Sequence, residues 1–179
     1  MNKPLRILCI HQGYELYGSD RAFINSIKAI RTNMTDSHIT VILPKNGPLS
    51  LEVSKIADDV QIIPSFVLRR ADLKKIFPKI INFWHYFIQA RAKMMHFDLI
   101  YLNTIVLFDY ILALPFIPRA KKLLHIHELP TGIERIFFSL MITFSGAKII
   151  FNSFATSKAF LLPPWQKRFV VYNGVSSPP

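Results

Sequence analysis

His127 lies near the end of the run "LLHIHE", with His125 two residues before it and Glu128 directly after. A neutral imidazole offers one hydrogen-bond donor and one acceptor, which suits a ligand hydroxyl. Side chains two apart on a strand point the same way, so His125 shares the direction of His127 and packs deeper in the sheet. Two histidines without a third ligand make a poor metal centre, and the chain has one cysteine, Cys9, so it carries no Cys-based zinc pattern. No metal and no cofactor are expected. Glu128 has the chemistry of a general base.

A second constellation is the stretch "HQGYELYGSDRAF", from His11 to Phe23. Gly13 and Gly18 stand five apart between an apolar run and a helical pattern. A glycine loop entering a helix can turn backbone N–H groups toward an anion, helped by the helix dipole. The spacing is neither G-x-G-x-x-G nor a P-loop, because Ser19-Asp20 stand where Lys-Ser/Thr would be required. Ser19 or Asp20 makes a good N-cap, with Arg21 on the exposed helix face. Two readings stay open on this ground: a plain turn with a cap, or a phosphate-facing loop.

The elements that position these residues follow from the hydrophobic pattern. Short apolar runs at 5–10, 38–44, 60–64, 97–103, 120–128, 147–153 and 167–174 read as strands. Helical patterns separate them, at 20–31, from Pro48, at 72–95 with Pro78 marking a break or first turn, at "LFDYILALPF", at "IERIFFSLMITF" and before Pro163. The strands are continuously apolar, as expected when both faces of a parallel sheet are covered. The alternation predicts an α/β, Rossmann-like, doubly wound and mostly parallel sheet of about seven strands with helices on both faces. In such a sheet ligands sit beyond the carboxyl ends of the strands. The residues there are His11-Gln12-Gly13, Asn103-Thr104, His127-Glu128, Asn152-Ser153 and Asn173-Gly174.

Composition narrows the partner. The 179 residues carry 22 Lys and Arg against 11 Asp and Glu, a net charge of +11. That balance calls for an anionic partner. The segment from Phe66 to Phe97 holds Arg69, Arg70, Lys74, Lys75, Lys79, Arg91 and Lys93 against Asp72 alone, interleaved with Phe77, Phe83, Trp84, Tyr86 and Phe87. Such a helix can lie in a membrane interface, with Arg70, Lys74, Lys75 and Lys79 facing anionic lipid. The competing reading is a core-packing helix with a solvated basic face. Nucleic acid is not expected, because no recognition motif accompanies the charge. No apolar run has the length of a bilayer span, and the longest, "TIVLFDYILALPFIP", is broken by Asp109 and prolines. The N-terminal run is too short for a signal peptide. A cytoplasmic protein, peripheral on the inner face of the plasma membrane, is expected.

Five segments together resemble one family. "YGSDRAF", "FDLIYLN", "LLHIHE", "AKIIFNSFATSKAF" and "KRFVVYNGVSSPP" stand in the order and at the strand ends of the N-terminal domain of a GT-B glycosyltransferase, and are similar to the retaining family 4. The resemblance covers essentially the whole chain. It departs at Ser176, where the family has Asp. It implies an acceptor-side Rossmann-like domain over 1–174 and the start of an interdomain linker over 175–179. A second domain, with a Glu-x7-Glu motif, would bind the nucleotide sugar. It further implies the acceptor-binding half of an enzyme that moves a sugar from a nucleotide-sugar donor to a polysaccharide or lipid-linked acceptor, inactive alone. A non-catalytic, membrane-associated subunit of a split transferase is the alternative. By the same resemblance His127 lies beside the transferred sugar, and Gly13 and Gly18 approach the donor phosphates. Asn103, Glu128 and Ser153 line the acceptor cleft, with structural capping as the competing role for Asn103 and Ser153, and positioning as the most that Glu128 does.

Overall fold

The computed structural model describes residues 3–66 and 76–173. Seven strands form one sheet in the order β3-β2-β1-β4-β5-β6-β7, and every neighbouring pair is parallel. They are β1 (Leu5–Ile10), β2 (Ser37–Leu43), β3 (Asp59–Ile62), β4 (Leu99–Leu102), β5 (Lys121–Ile126), β6 (Lys148–Phe151) and β7 (Arg168–Val170). The helices between them are α1 (Gly18–Asn33), α2 (Pro48–Val53), α3 (Ile76–Met94), α4 (Phe108–Ala113), α5 (Ile133–Ser145) and α6 (Phe154–Lys158). Among the described residues the predicted alternation is observed; positions 72–75 of the third helical pattern lie outside them.

Strand residues alternate between the two faces. Ile7 and Cys9 join Phe23, Ile24 and Ile27 of α1 and Leu49 and Val53 of α2 in one core. Leu8 and Ile10 join Ala90 and Met94 of α3, Ile111 of α4 and Ile142 of α5 in the other. Because both faces are buried at β1 and β4, those strands have no room for an alternating polar set. A fully buried Phe23 or Ile27 contributes roughly 1.5–3 kcal/mol by leaving water.

Local sequence sets the ends of the helices. Pro48 opens α2 at a position where its missing N–H has no helical partner. Gly146 ends α5 at φ 67°, the left-handed conformation that glycine adopts without Cβ strain. Pro78 falls in the first turn of α3, the only part of a helix that tolerates it. The start of α1 corrects the sequence reading. Tyr17, not Ser19 or Asp20, is the residue before the helix, and Asp20 is buried in its first turn. An arithmetic of cap residues could not see that the Asp20 side chain turns inward.

The chain reverses its direction of travel across the sheet between β1 and β4. The exits of these two strands are therefore adjacent: the Asn103 N–H donates to the Ile10 carbonyl at 3.0 Å, and the His11 N–H donates to Ile42 at 3.2 Å.

Candidate functional site

Three strand exits and one helix start supply the polar cluster at this reversal. His11 leaves β1, Asn103 leaves β4, and His127 leaves β5. Asp20 comes back from the first turn of α1. The Asn103 Oδ1 is 3.1 Å from Nε2 of His127, and its Nδ2 is 3.2 Å from Nδ1 of His11. Nε2 of His11 is 2.7 Å from Oδ1 of Asp20. Oδ2 of Asp20 accepts the Tyr17 N–H at 2.9 Å. His11 is further fixed by stacking on Phe23, with ring centroids 4.8 Å apart.

Beneath the cluster lies Tyr101, from β4. Its hydroxyl sits 2.9 Å from Oδ1 of Asn103, 2.8 Å from Nδ1 of His125 and 2.9 Å from Oγ of Ser26. His125 therefore packs deeper than His127, as the strand period predicts, with the two rings 4.2 Å apart. Among the described residues no group of three potential ligands could hold a metal ion.

Burial sets the charge states. It is the larger cause at both strand-end histidines, pushing His125 down to about 3, with His127 as the second cause, and His127 down to about 4, with His11 second. Both imidazoles are neutral at ordinary pH, so each carries one donor and one acceptor. For Asp20 burial works upward, but the bonds from His11 and the Tyr17 backbone outweigh it and hold the carboxyl below its usual range. Burial also raises the Tyr101 phenol well above its usual value.

The two glycines singled out by sequence do different things. A Cβ on Gly13 would lie 1.9 Å from Oδ1 of Asp20 and 2.7 Å from Nε2 of His11. Glycine is needed there because the loop crosses directly over the His11–Asp20 pair. Gly18 is the exposed first residue of α1, and a Cβ on it would meet nothing within 4 Å. Its N–H belongs to the helical first turn, where backbone donors lack intrahelical partners. A third glycine matters and was not singled out. A Cβ on Gly47 would lie 2.2 Å from the Tyr14 carbonyl, so the loop after β2 packs tightly on the loop after β1. The Leu49 N–H donates to that same carbonyl at 3.2 Å.

Glu128 clamps two strand exits together. Its Oε1 accepts from the Thr104 hydroxyl and from the Ile105 N–H at 3.3 Å, and its Oε2 accepts from the His127 N–H at 3.0 Å. Both carboxylate oxygens are thereby engaged. Ser153 caps α6, accepting from the Thr156 N–H at 3.0 Å. Asn103 is 1% exposed and its amide is engaged at both ends, so it braces the cluster from below rather than opening onto a cleft. His127 is half-buried and so remains accessible at the rim. Arg70, Lys74 and Lys75 lie outside the described residues, and so does the side chain of Lys79.

Sequence reasoning missed two features. By sequence His11 is a strand-end residue and Asp20 a candidate helix cap. Their pairing needs the return of α1 over β1, which no local pattern records. Asp109, read only as an interruption of an apolar run, is buried, and its Oδ2 accepts the Phe66 N–H at 3.1 Å.

The fold is an all-parallel Rossmann-like one, similar to that of a GT-B N-terminal domain. Among solved structures, HepE (Alr3699) of Anabaena, in complex with UDP and glucose, superposes with a TM-score of 0.69 at 19% identity over 96% of this chain and 45% of that one. HepE with UDP-glucose gives the same score and identity, covering 44% of its chain. Acinetobacter baumannii MurG superposes with a TM-score of 0.62 at 11% identity, over 97% of this chain and 47% of that one. The chain thus spans under half the length of these structures. No protein-family profile and no curated protein sequence matches it.

Proposed function

We propose that this chain is the acceptor-side half of a glycosyltransferase, which transfers a sugar from a nucleotide-sugar donor to a polysaccharide or lipid-linked acceptor and is inactive alone. The reading takes 1–174 as the acceptor-side domain and 175–179 as the start of a linker to a donor-binding domain. It is supported most by the bond between Asn103 and His127 beside the loop of Gly13 and Gly18. A neutral, partly accessible imidazole at the rim suits a sugar hydroxyl, and the first turn of α1 at Gly18 suits a donor phosphate. His127 contacts the transferred sugar in this reading, while Glu128 and Asn103 hold the rim in shape. In the HepE structures a nucleotide and a sugar are bound to a protein of the same fold.

The test is a titration of the isolated chain with UDP-glucose and with glucose, following the His127 ring signals by NMR. A saturable shift at His127, lost in His127→Ala, is expected. No shift at any attainable concentration removes the sugar from this rim.

A second reading, a membrane-associated half, is favoured by one surface. Ile133, Ile136, Phe137, Leu140 and Phe144 follow helical spacing along α5 and are all exposed, Ile133 at 82% and Phe144 at 72%. An apolar stripe on a chain of charge +11 suits the surface of an anionic bilayer. Among the described residues no helix is long and apolar enough to cross a membrane.

A further inference from the structure

Asp20, His11, Asn103 and His127 form an unbroken chain of hydrogen bonds, and each link has one polarity that satisfies it. Asp20, His11 and Asn103 are 2%, 1% and 1% exposed, so water does not stand in for a lost partner. A carboxylate only accepts, so Nε2 of His11, at 2.7 Å, must carry its proton. The orientation of Asn103 is fixed independently. Its Nδ2 lies 3.4 Å from the Ser19 carbonyl, which also only accepts, so that end is the NH2 group. Nδ2 then donates to the bare Nδ1 of His11, at 3.2 Å. The other end, Oδ1, accepts from Tyr101 at 2.9 Å and from Nε2 of His127 at 3.1 Å. The His127 proton therefore sits on Nε2, and Nδ1 keeps a lone pair.

We propose that Asp20 is a positioning residue that sets the tautomer of His127 through His11 and Asn103, so that the free ring nitrogen of His127 accepts a hydrogen bond from a ligand hydroxyl. The assignment of a ligand hydroxyl rests on the reading above; the tautomer does not. Reversing any one link while the others stay leaves two donors or two acceptors facing each other. Such a mismatch among buried groups is unfavourable because water cannot relieve it, so the links from Asp20 to His127 switch together.

The substitution Asp20→Asn exploits this. The new carbonyl must still accept the Tyr17 N–H, which turns the new NH2 toward Nε2 of His11. His11 then moves its proton to Nδ1; Asn103 turns its amide over, giving up its longer 3.4 Å contact with the Ser19 carbonyl while Tyr101 directs its proton to Ser26; and His127 moves its proton to Nδ1. Long-range nitrogen–carbon NMR on histidine-labelled protein reads each ring directly, with no ligand present. In the native chain both His11 and His127 are expected as the Nε2–H form. In Asp20→Asn the protonated and unprotonated nitrogen signals should exchange places in both rings. If His11 switches and His127 does not, or if native His127 is already Nδ1–H, the proposal is overturned. Should Asp20→Asn not fold, Asn103→Leu cuts the chain in the middle. Both tautomers of His127 are then expected where the native protein shows one, and an unchanged single form overturns the proposal. A His127 that switches as expected but ignores sugar would leave the relay standing and remove only the ligand.

Discussion

Nε2 of His127 donates to Oδ1 of Asn103 at 3.1 Å, joining the exits of β5 and β4, which lie 24 residues apart in the chain. The bond crosses the sheet beside the exit of β1, where His11 holds the other end of the same amide. One buried asparagine thus ties together three strand exits, and everything proposed for the rim depends on it.

Gly13 and Gly18 should respond oppositely to alanine. At Gly13 the added carbon falls 1.9 Å from Oδ1 of Asp20, so the His11–Asp20 pair must move. A loss of roughly 1–3 kcal/mol is expected from overpacking. At Gly18 the space is open and the residue is helical, so stability should hold or rise by up to about 1 kcal/mol. Urea denaturation of both variants checks the pair. Equal losses would show that the loop does not pass over Asp20 as described.

Stability should fall as the medium is acidified below neutrality. His125 has a folded pKa pushed down to about 3 by burial, against about 6.5 unfolded. Between those values the unfolded chain binds a proton that the folded chain refuses, so stability present above about 6.5 is lost as pH falls toward 3. The slope is at most about 1.4 kcal/mol per pH unit for that one proton. Asp109 opposes it. Burial pushes its carboxyl up to about 6, so the folded chain keeps a proton that the unfolded chain releases from about 4 upward. Its contribution therefore declines as pH rises through that window. Urea midpoints across this range should show a shallower acid loss in His125→Gln and a steeper one in Asp109→Asn.

Membrane association, if α5 mediates it, should be lost with the stripe. Leu140→Glu combined with Phe144→Glu places two carboxylates on an exposed apolar face. Sedimentation with anionic vesicles should drop several-fold, while thermal stability stays level. Charge reversal at Lys74, Lys75 and Lys79 should weaken the same binding. Retention of binding in both variants would leave these surfaces as ordinary structure.

Sugar transfer by this chain alone should not occur. Incubation with UDP-glucose and an oligosaccharide acceptor is expected to release no UDP above spontaneous hydrolysis. Steady turnover would place the whole reaction in this domain and overturn the two-domain reading.

The sequence by itself determined the alternation of strands and helices, and with it the parallel sheet. That follows because buried strands leave continuous apolar runs, while helices leave a 3.6-residue period, and both signals are local. It also marked the residues that end up on one rim, since polar side chains at strand exits are visible as interruptions. Only the tertiary structure decided what those residues do. Asp20 reads as a cap and is the partner of His11; Asn103 reads as a cleft or capping residue and is a buried brace; Gly47 reads as a strand stop and is a point of close backbone approach. Asp20 lies only nine residues from His11 but meets it because α1 folds back over β1; for Asn103 and Gly47 the reason is separation along the chain. Hydrogen bonds between strand exits join residues up to 92 positions apart, and their pairing is fixed by the order in which strands lie across the sheet, a property that no window of the sequence contains.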